Sequence, residues 1–189
     1  MRRAFDLVIA ATGLLLLSPL LAAIALAIKL DGKGAVLYSQ PRVGRNFHEF
    51  HLLKFRSMVP GADRSAILTA PADRRVTRVG RFLRKCKLDE LPQLFNVLRG
   101  DMQLVGSRPE VRRYVERFRS EYAVLLCDRP GITDPASLAF WNEEAMFEPG
   151  RMEQQYLAEI LPAKLKLSID YARQRSFVSD LRIIARSIF

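Results

Sequence analysis

The chain has 189 residues, nearly half of them apolar, and carries a formal net charge of +10. That length suits one domain with a modest core. So high a charge on so apolar a chain is unusual for an ordinary soluble enzyme and points to an anionic partner, whether nucleic acid, anionic lipid or a phosphorylated substrate.

Cations open the chain at Arg2 and Arg3, and Leu7 to Ile28 then runs for 22 residues without a charge. As a straight helix this run would reach roughly 33 Å, enough for a bilayer core. It is too long for a signal peptide and leads into no small-x-small cleavage site. Ser18-Pro19 lies mid-run, where proline removes a helix hydrogen bond and clashes with the previous turn. A kink is expected there, with the Ser18 hydroxyl as a partner for the freed carbonyls. Basic residues flank both ends, Arg2 and Arg3 before, Lys29 and Lys33 after, without the asymmetry of a one-way crossing. A helix that enters, bends and returns to the same face fits both observations, and a single kinked span would also accommodate the proline. Asp6, three residues from Arg3, is placed to pair with it on one helix face as an anchor for the helix mouth.

Asp31-Gly32-Lys33-Gly34 reads as a turn and Ala35 to Tyr38 as a short strand. Pro41 to Asn46 is the expected hairpin connection, and Phe47 to Phe55 the second strand. Lys54 and Arg56 then share a strand face, as a clamp for a diphosphate or as a solvated edge. Residues 60–76 read as a surface loop. Val76 to Lys87 reads as a basic amphipathic helix of the kind that lies on anionic membrane surfaces. Cys86 and Cys127 lack metal-ligand spacing and make a poor disulfide framework, so a reducing setting is expected.

The central stretch is Lys87 to Met102. The adjacent carboxylates Asp89 and Glu90 follow Arg78, Arg81, Arg84, Lys85 and Lys87. Such a pair stays ionised together only where cations or a metal offset it. Carboxylates in a cationic site suit work on a phosphate ester with a hard divalent metal, although alone the pair is also consistent with a solvated surface patch. A helix is expected to start at Asp89, with Pro92 early and Leu91, Leu94, Phe95 and Leu98 as its apolar stripe. Beyond it come a strand at Met102 to Val105, a loop at Gly106 to Pro109 and a helix from Glu110 to Leu126. A proline-glycine turn at Arg129 to Thr133 follows, then helices over 153–173 and 178–188, interrupted near Pro162 and Ser176.

Taken together these residues resemble the bacterial sugar transferase family, the monotopic phosphoglycosyl transferases. The resemblance covers nearly the whole chain. It rests on Arg3-x-x-Asp6, Ser18-Pro19, Lys54 to Met58, the block from Leu88 to Met102, Arg108-Pro109 and Arg129 to Thr133. It implies an α+β fold with a re-entrant membrane helix over residues 1–30 and a catalytic part over 31–189 at the cytosolic face of the bacterial inner membrane. Basic amphipathic surface helices and a small β-hairpin would surround a membrane-surface active site. The implied reaction moves a phospho-sugar from a UDP-sugar to polyprenol phosphate and releases UMP. In it Asp89 is the nucleophile of a ping-pong mechanism, and Glu90 and Mg²⁺ complete the centre, both carboxylates serving as metal ligands. The resemblance also places Lys54, Arg56, Arg84 and Arg108 on phosphates and Pro109 at the uridine pocket. Without the extra membrane helices of larger relatives, the chain reads as a minimal catalytic unit; its oligomeric state, a homodimer included, is left open.

Three departures stand out. Ser107 replaces the usual proline before Arg108, Asp134 replaces a glycine after Ile132-Thr133, and Leu138 to Asn142 replace the usual continuation. The last segment is expected to face the sugar. A nucleic-acid module would use the same charge, yet its aromatics are not interleaved with the basic stretch and the apolar run would have no role. A metal-dependent phosphohydrolase of nucleotide-sugars would use the same aspartate and metal with water as acceptor. A non-catalytic protein bound to anionic membrane lipid would leave Asp89-Glu90 in its cationic setting unexplained.

Overall fold

A computed structural model describes residues 2–62, 68–70, 73–148 and 150–188. The uncharged run forms two helices, α1 (Arg2–Leu16) and α2 (Ser18–Asp31), bent by 62° at Leu17. The bend has the expected chemistry. Pro19 has no N–H to give the Leu15 carbonyl, and the Ser18 hydroxyl donates to that carbonyl at 2.7 Å instead. Among the described residues no single helix is long and apolar enough to cross a membrane, whereas the bent pair is so taken together. Asp6, Ala10, Ile24 and Ile28, toward the outer ends, are buried, while Leu15 and Leu16 at the bend are 73% and 72% exposed. The expected Arg3–Asp6 pair gives way to longer-range contacts. Arg3 donates to the carbonyls of Met102 and Leu98, and buried Asp6 is hydrogen-bonded to the backbone of Leu104.

The hairpin follows as β1 (Leu37–Val43), a 3₁₀ turn at Arg45–Phe47 and β2 (Glu49–Phe55), with Tyr38 opposite Lys54. β1 runs through Pro41, further than expected, because a two-stranded sheet has edge positions where proline's missing N–H costs nothing. Of the loop expected over 60–76, residues 63–67 and 71–72 lie outside the described residues. Within the remainder Met58 bridges Val76, and Arg75 pairs with Asp73.

The basic helix α3 (Arg78–Lys85) is capped by Thr77, whose hydroxyl accepts from the Gly80 N–H at 3.0 Å. Gly80 lies on the Ser57 carbonyl, where a Cβ would come within 2.0 Å, so glycine allows the helix to sit this close. No regular helix starts at Asp89. The chain reverses at Lys87 (φ +54°), makes one 3₁₀ turn over Leu88–Glu90, and enters α4 (Gln93–Arg99), which Gly100 ends at φ +97°.

Only half of the expected stripe is packed: Leu91 and Leu94 lie against the core clusters, Gln93, Asn96 and Val97 point inward beside them, and Phe95 and Leu98 are exposed. The cause is Asn96. The Leu53 N–H donates to its Oδ1 at 2.9 Å, and its Nδ2 donates to the His51 carbonyl at 2.8 Å and to Asp101 at 3.1 Å. A buried amide that satisfies β2 backbone groups dictates which way α4 is rolled.

Next come β3 (Gln103–Val105), α5 (Arg112–Arg117), α6 (Arg119–Leu125) and β4 (Gly131–Thr133), with β3 and β4 paired in parallel. The single helix expected from Glu110 to Leu126 breaks at Phe118, and the expected turn at Arg129 to Thr133 runs into a strand. Then follow α7 (Pro135–Ala139), a 3₁₀ turn at Glu143–Met146, α8 (Met152–Gln155), a wide turn at Tyr156–Ile160, α9 (Leu161–Gln174) and α10 (Phe177–Ile188). α10 meets the expectation for 178–188, whereas the helix expected over 153–173 is made of α8, the wide turn and α9 in succession.

The architecture is α+β, with three apolar clusters. One gathers Val43, Tyr114, Val115 and Tyr156 among α5, α6 and α9. A second joins α1 to β2, α4 and β3 through Ala10, Leu52, Val97 and Met102, and a third joins α2 to β2 and α3 through Ile28, Phe55 and Leu83. At about 1.5–3 kcal/mol per large buried side chain, the last two hold the bent pair against the body.

Asn96→Ala strands the Leu53 N–H and the His51 carbonyl, a loss of about 3 kcal/mol in total. The thermal midpoint of the detergent-purified protein is expected to fall by roughly 5–10 °C. An unchanged midpoint would show that this clamp carries little of the fold.

Candidate active site

The left-handed residue Lys87 turns the chain back beneath the hairpin, and the 3₁₀ turn after it carries the two carboxylates inward. Asp89 is only 4% exposed, and its Oδ1 has no hydrogen-bond partner. Glu90 beside it is gripped from two directions. Lys54 of β2 donates to its Oε1 at 3.0 Å, and Arg108, from the loop after β3, donates to both oxygens, Nη1 reaching Oε2 at 3.0 Å. The bidentate grip suits a planar guanidinium.

Protonation follows from this layout. Burial pushes the Asp89 carboxyl above the usual carboxylate range, against the opposing pull of Lys54, and the charge of Glu90 adds to the rise. Burial works in the same direction on Glu90, but Arg108 and Lys54 outweigh it and hold that carboxyl well below the range. The Lys54 ammonium is itself lowered by burial, with Glu90 opposing. Adjacent carboxylates are thus driven apart, Glu90 fixed as an anion and Asp89 more basic than a free aspartate.

The other expected phosphate ligands divide. Arg84, in the last turn of α3, is close enough to bias Asp89 electrostatically and is ion-paired with Glu144. Arg56 is elsewhere. It stands just past the end of β2 and donates to the carbonyls of Ile28, Gly32 and Lys33 at 2.9, 2.7 and 2.6 Å. A helix C-terminus leaves carbonyls in need of donors, and Arg56 serves α2 in that way. The Pro109 carbonyl accepts from Arg42 at 3.3 Å.

Sequence reading missed a second charged layer behind this centre. Arg42 pairs with Glu110, and the Tyr156 hydroxyl donates to Glu110 at 2.7 Å. Burial opposes the ionisation of Glu110, but Arg42 and Lys164 outweigh it and lower its carboxyl. Gln93 was also missed: it is buried, four residues after Asp89, and neither of its amide atoms has a partner. Only a polar residue inside an apolar run hinted at it.

The altered segment is ordered by its own substitutions. Asp134 caps α7, accepting from the Ser137 N–H and hydroxyl at 2.7 Å each and from Ser168. Trp141 lies with its ring centroid 5.1 Å from the Lys87 ammonium. Pro135, Leu138 and Trp141 face Ile183 and Arg186 of α10 across a groove of about 720 Å³.

Among the described residues no three His, Cys, Asp or Glu side chains cluster as a metal cage. The orphaned Asp89 Oδ1 nevertheless suits a hard divalent ion held through one or two carboxylates, with substrate phosphates and water as its remaining ligands. Glu90 already serves two cations.

A sequence model of the bacterial sugar transferase family matches residues 1–189. Three relatives illustrate the match. An undecaprenyl-phosphate glucose phosphotransferase of Komagataeibacter xylinus is 40% identical, covering 99% of this chain and 35% of that protein. The UDP-N-acetylgalactosamine-undecaprenyl-phosphate N-acetylgalactosaminephosphotransferase of Aeromonas hydrophila is 36% identical, over 99% of this chain and 42% of its own length. A UDP-glucose:undecaprenyl-phosphate glucose-1-phosphate transferase of Caulobacter vibrioides is 38% identical, over 99% and 68% respectively. The chain therefore spans less than half the length of the first two.

The depressed Glu90 carboxyl contributes stability above the ordinary glutamate value of 4.5, and that contribution is lost as pH falls through its lower folded-state value. Glu90→Gln leaves Lys54 and Arg108 facing each other, at a cost of about 3 kcal/mol at pH 7. Melting curves are expected to show the gap between variant and parent narrowing below pH 4.5. A gap that ignores pH would contradict the ionised state of Glu90.

Proposed function

The chain belongs to the bacterial sugar transferase family, and on that premise we propose that it transfers a phospho-sugar from a UDP-sugar to polyprenol phosphate, releasing UMP. One observation supports this most: Asp89 presents a buried, unpartnered carboxylate oxygen beside a neighbour already neutralised by two cations. A carboxylate oxygen with no hydrogen-bond partner, in a site lined by Lys54, Arg84 and Arg108, suits attack on a diphosphate.

In the first half-reaction the Asp89 carboxylate attacks the phosphorus that bears the sugar. The bond from that phosphorus to the bridging oxygen breaks, and UMP leaves with the electron pair. In the second, a phosphate oxygen of polyprenol phosphate attacks the same phosphorus and releases Asp89, giving polyprenyl-diphosphate-sugar. The raised basicity of Asp89 favours its role as nucleophile, and the Lys54 ammonium beside it opposes that rise. Arg84 and Arg108 receive charge that moves onto the phosphates. Mg²⁺ would be held through Asp89, with Glu90 adjacent, and would supply positive charge to the diphosphate.

The site belongs at the cytosolic face of a bacterial membrane, where the acceptor keeps its phosphate at headgroup level. Both outer ends of the bent pair pack on the same body and its apolar bend projects away, which supports a re-entrant rather than a spanning helix. Exposed Phe82, Phe95 and Leu98 stand among Arg81, Lys85 and Arg99, an arrangement that favours anionic lipid at about 1 kcal/mol per near-surface cation.

The decisive assay supplies several UDP-sugars to the detergent-purified protein, with and without polyprenol phosphate and Mg²⁺. UMP formed in step with lipid-linked product is expected, and Asp89→Asn is expected to lose at least about 1000-fold in rate, since only the nucleophile is removed. Near-normal turnover by that variant would refute the covalent route, and sustained sugar-phosphate release without lipid would make water the acceptor.

In inverted membrane vesicles, an impermeant maleimide is expected to label the exposed Cys86 and Cys127, and a tag at the N-terminus is expected to be accessible from the same side. A tag protected inside the vesicles would establish a spanning helix.

A further inference from the structure

Three cations surround Asp89 with different commitments. Lys54 and Arg108 are tied to Glu90, whose side chain is only 14% exposed. Arg84 is paired instead with Glu144, whose side chain is 45% exposed. Glu144 belongs to the 3₁₀ turn Glu143–Met146, and that turn is anchored independently of it. Its neighbour Glu143 accepts from the largely buried Lys164 at 2.5 Å, and Trp141 just upstream rests against Lys87, two residues from Asp89. The turn therefore stays in place whether or not Glu144 holds Arg84.

The two acidic neighbours differ sharply in how easily they let go. Breaking the Glu143–Lys164 pair would leave a buried ammonium without an ion pair, a larger penalty. Breaking a half-exposed pair such as Arg84–Glu144 costs little, because water receives the freed carboxylate. A diphosphate carries more charge than one carboxylate and takes a guanidinium in bidentate fashion, so it outcompetes Glu144 for Arg84.

We propose that Glu144 is a positioning residue that competes with the donor's diphosphate for Arg84 and thereby sets how tightly the donor binds. Resting on the phospho-sugar transfer reading, the assignment adds a residue from the segment after Trp141 to the donor site. With no donor present Glu144 keeps Arg84 oriented and neutralised next to Asp89. When the donor arrives, Arg84 moves to the diphosphate and Glu144 swings into solvent.

UDP binding to the full chain in detergent, measured by calorimetry, tests this with UDP as the diphosphate probe. Glu144→Gln is expected to tighten UDP binding about three- to fivefold, the size of a half-exposed ion pair, and Glu144→Asp to stay near the parent. In an Arg84→Gln background the effect of Glu144→Gln is expected to vanish, which a merely structural role for Glu144 would not produce. Unchanged or weaker binding by Glu144→Gln overturns the proposal, as does equal tightening in the Arg84→Gln background. A parent protein that binds no UDP, while still melting cooperatively, would overturn the donor reading itself, a result distinct from the others.

Discussion

The burial of Glu90 between Lys54 and Arg108 is the constraint on which the site depends. Two adjacent carboxylates cannot both be withdrawn from water without compensating charge. Here the compensation comes from two distant parts of the chain, a hairpin strand and the loop after β3. Bringing them together fixes where β2, the Leu88–Glu90 turn and the Arg108 loop lie relative to one another. It also leaves Asp89 as the carboxylate whose Oδ1 has no partner.

Several backbone contacts hold that geometry without touching it. Asn96 ties α4 to the same strand that carries Lys54, through the main chain just before it at Leu53 and His51. Gly80 lets α3 press onto the chain leaving β2, which brings Arg84 toward Asp89. Behind Arg108, Arg42 grips both Glu110 and the Pro109 carbonyl, so the loop is braced from its far side. Ser107 adds to this bracing by accepting from the Gly131 N–H at 2.9 Å.

The bent helix pair is tied to the site by the same means. Arg56 caps the end of α2 and Arg3 donates to the Leu98 carbonyl at the end of α4, each guanidinium serving carbonyls that a helix end leaves without a helical partner. The bent apolar pair and the Asp89–Glu90 centre thus share their supports.

What the sequence by itself determined is what depends on near neighbours. The uncharged run, its break at Ser18-Pro19 and even the hydroxyl that repairs the break were legible, because proline acts on the carbonyl four residues before it. The concentration of cations around Asp89-Glu90 was legible for the same reason. Tertiary structure alone decided which cation serves which anion. Arg56 reads as a phosphate ligand until the end of α2 comes within its reach. The apolar stripe of α4 reads as wholly buried until Asn96 turns its Phe95 and Leu98 outward, and nothing near Glu110, Glu143 and Glu144 in the sequence names Arg42, Lys164 and Arg84, which arrive from 68, 21 and 60 positions away. Hydrogen bonds and ion pairs are short-ranged in space and indifferent to separation along the chain, so local pattern shows that such groups need partners, and only the folded chain supplies them.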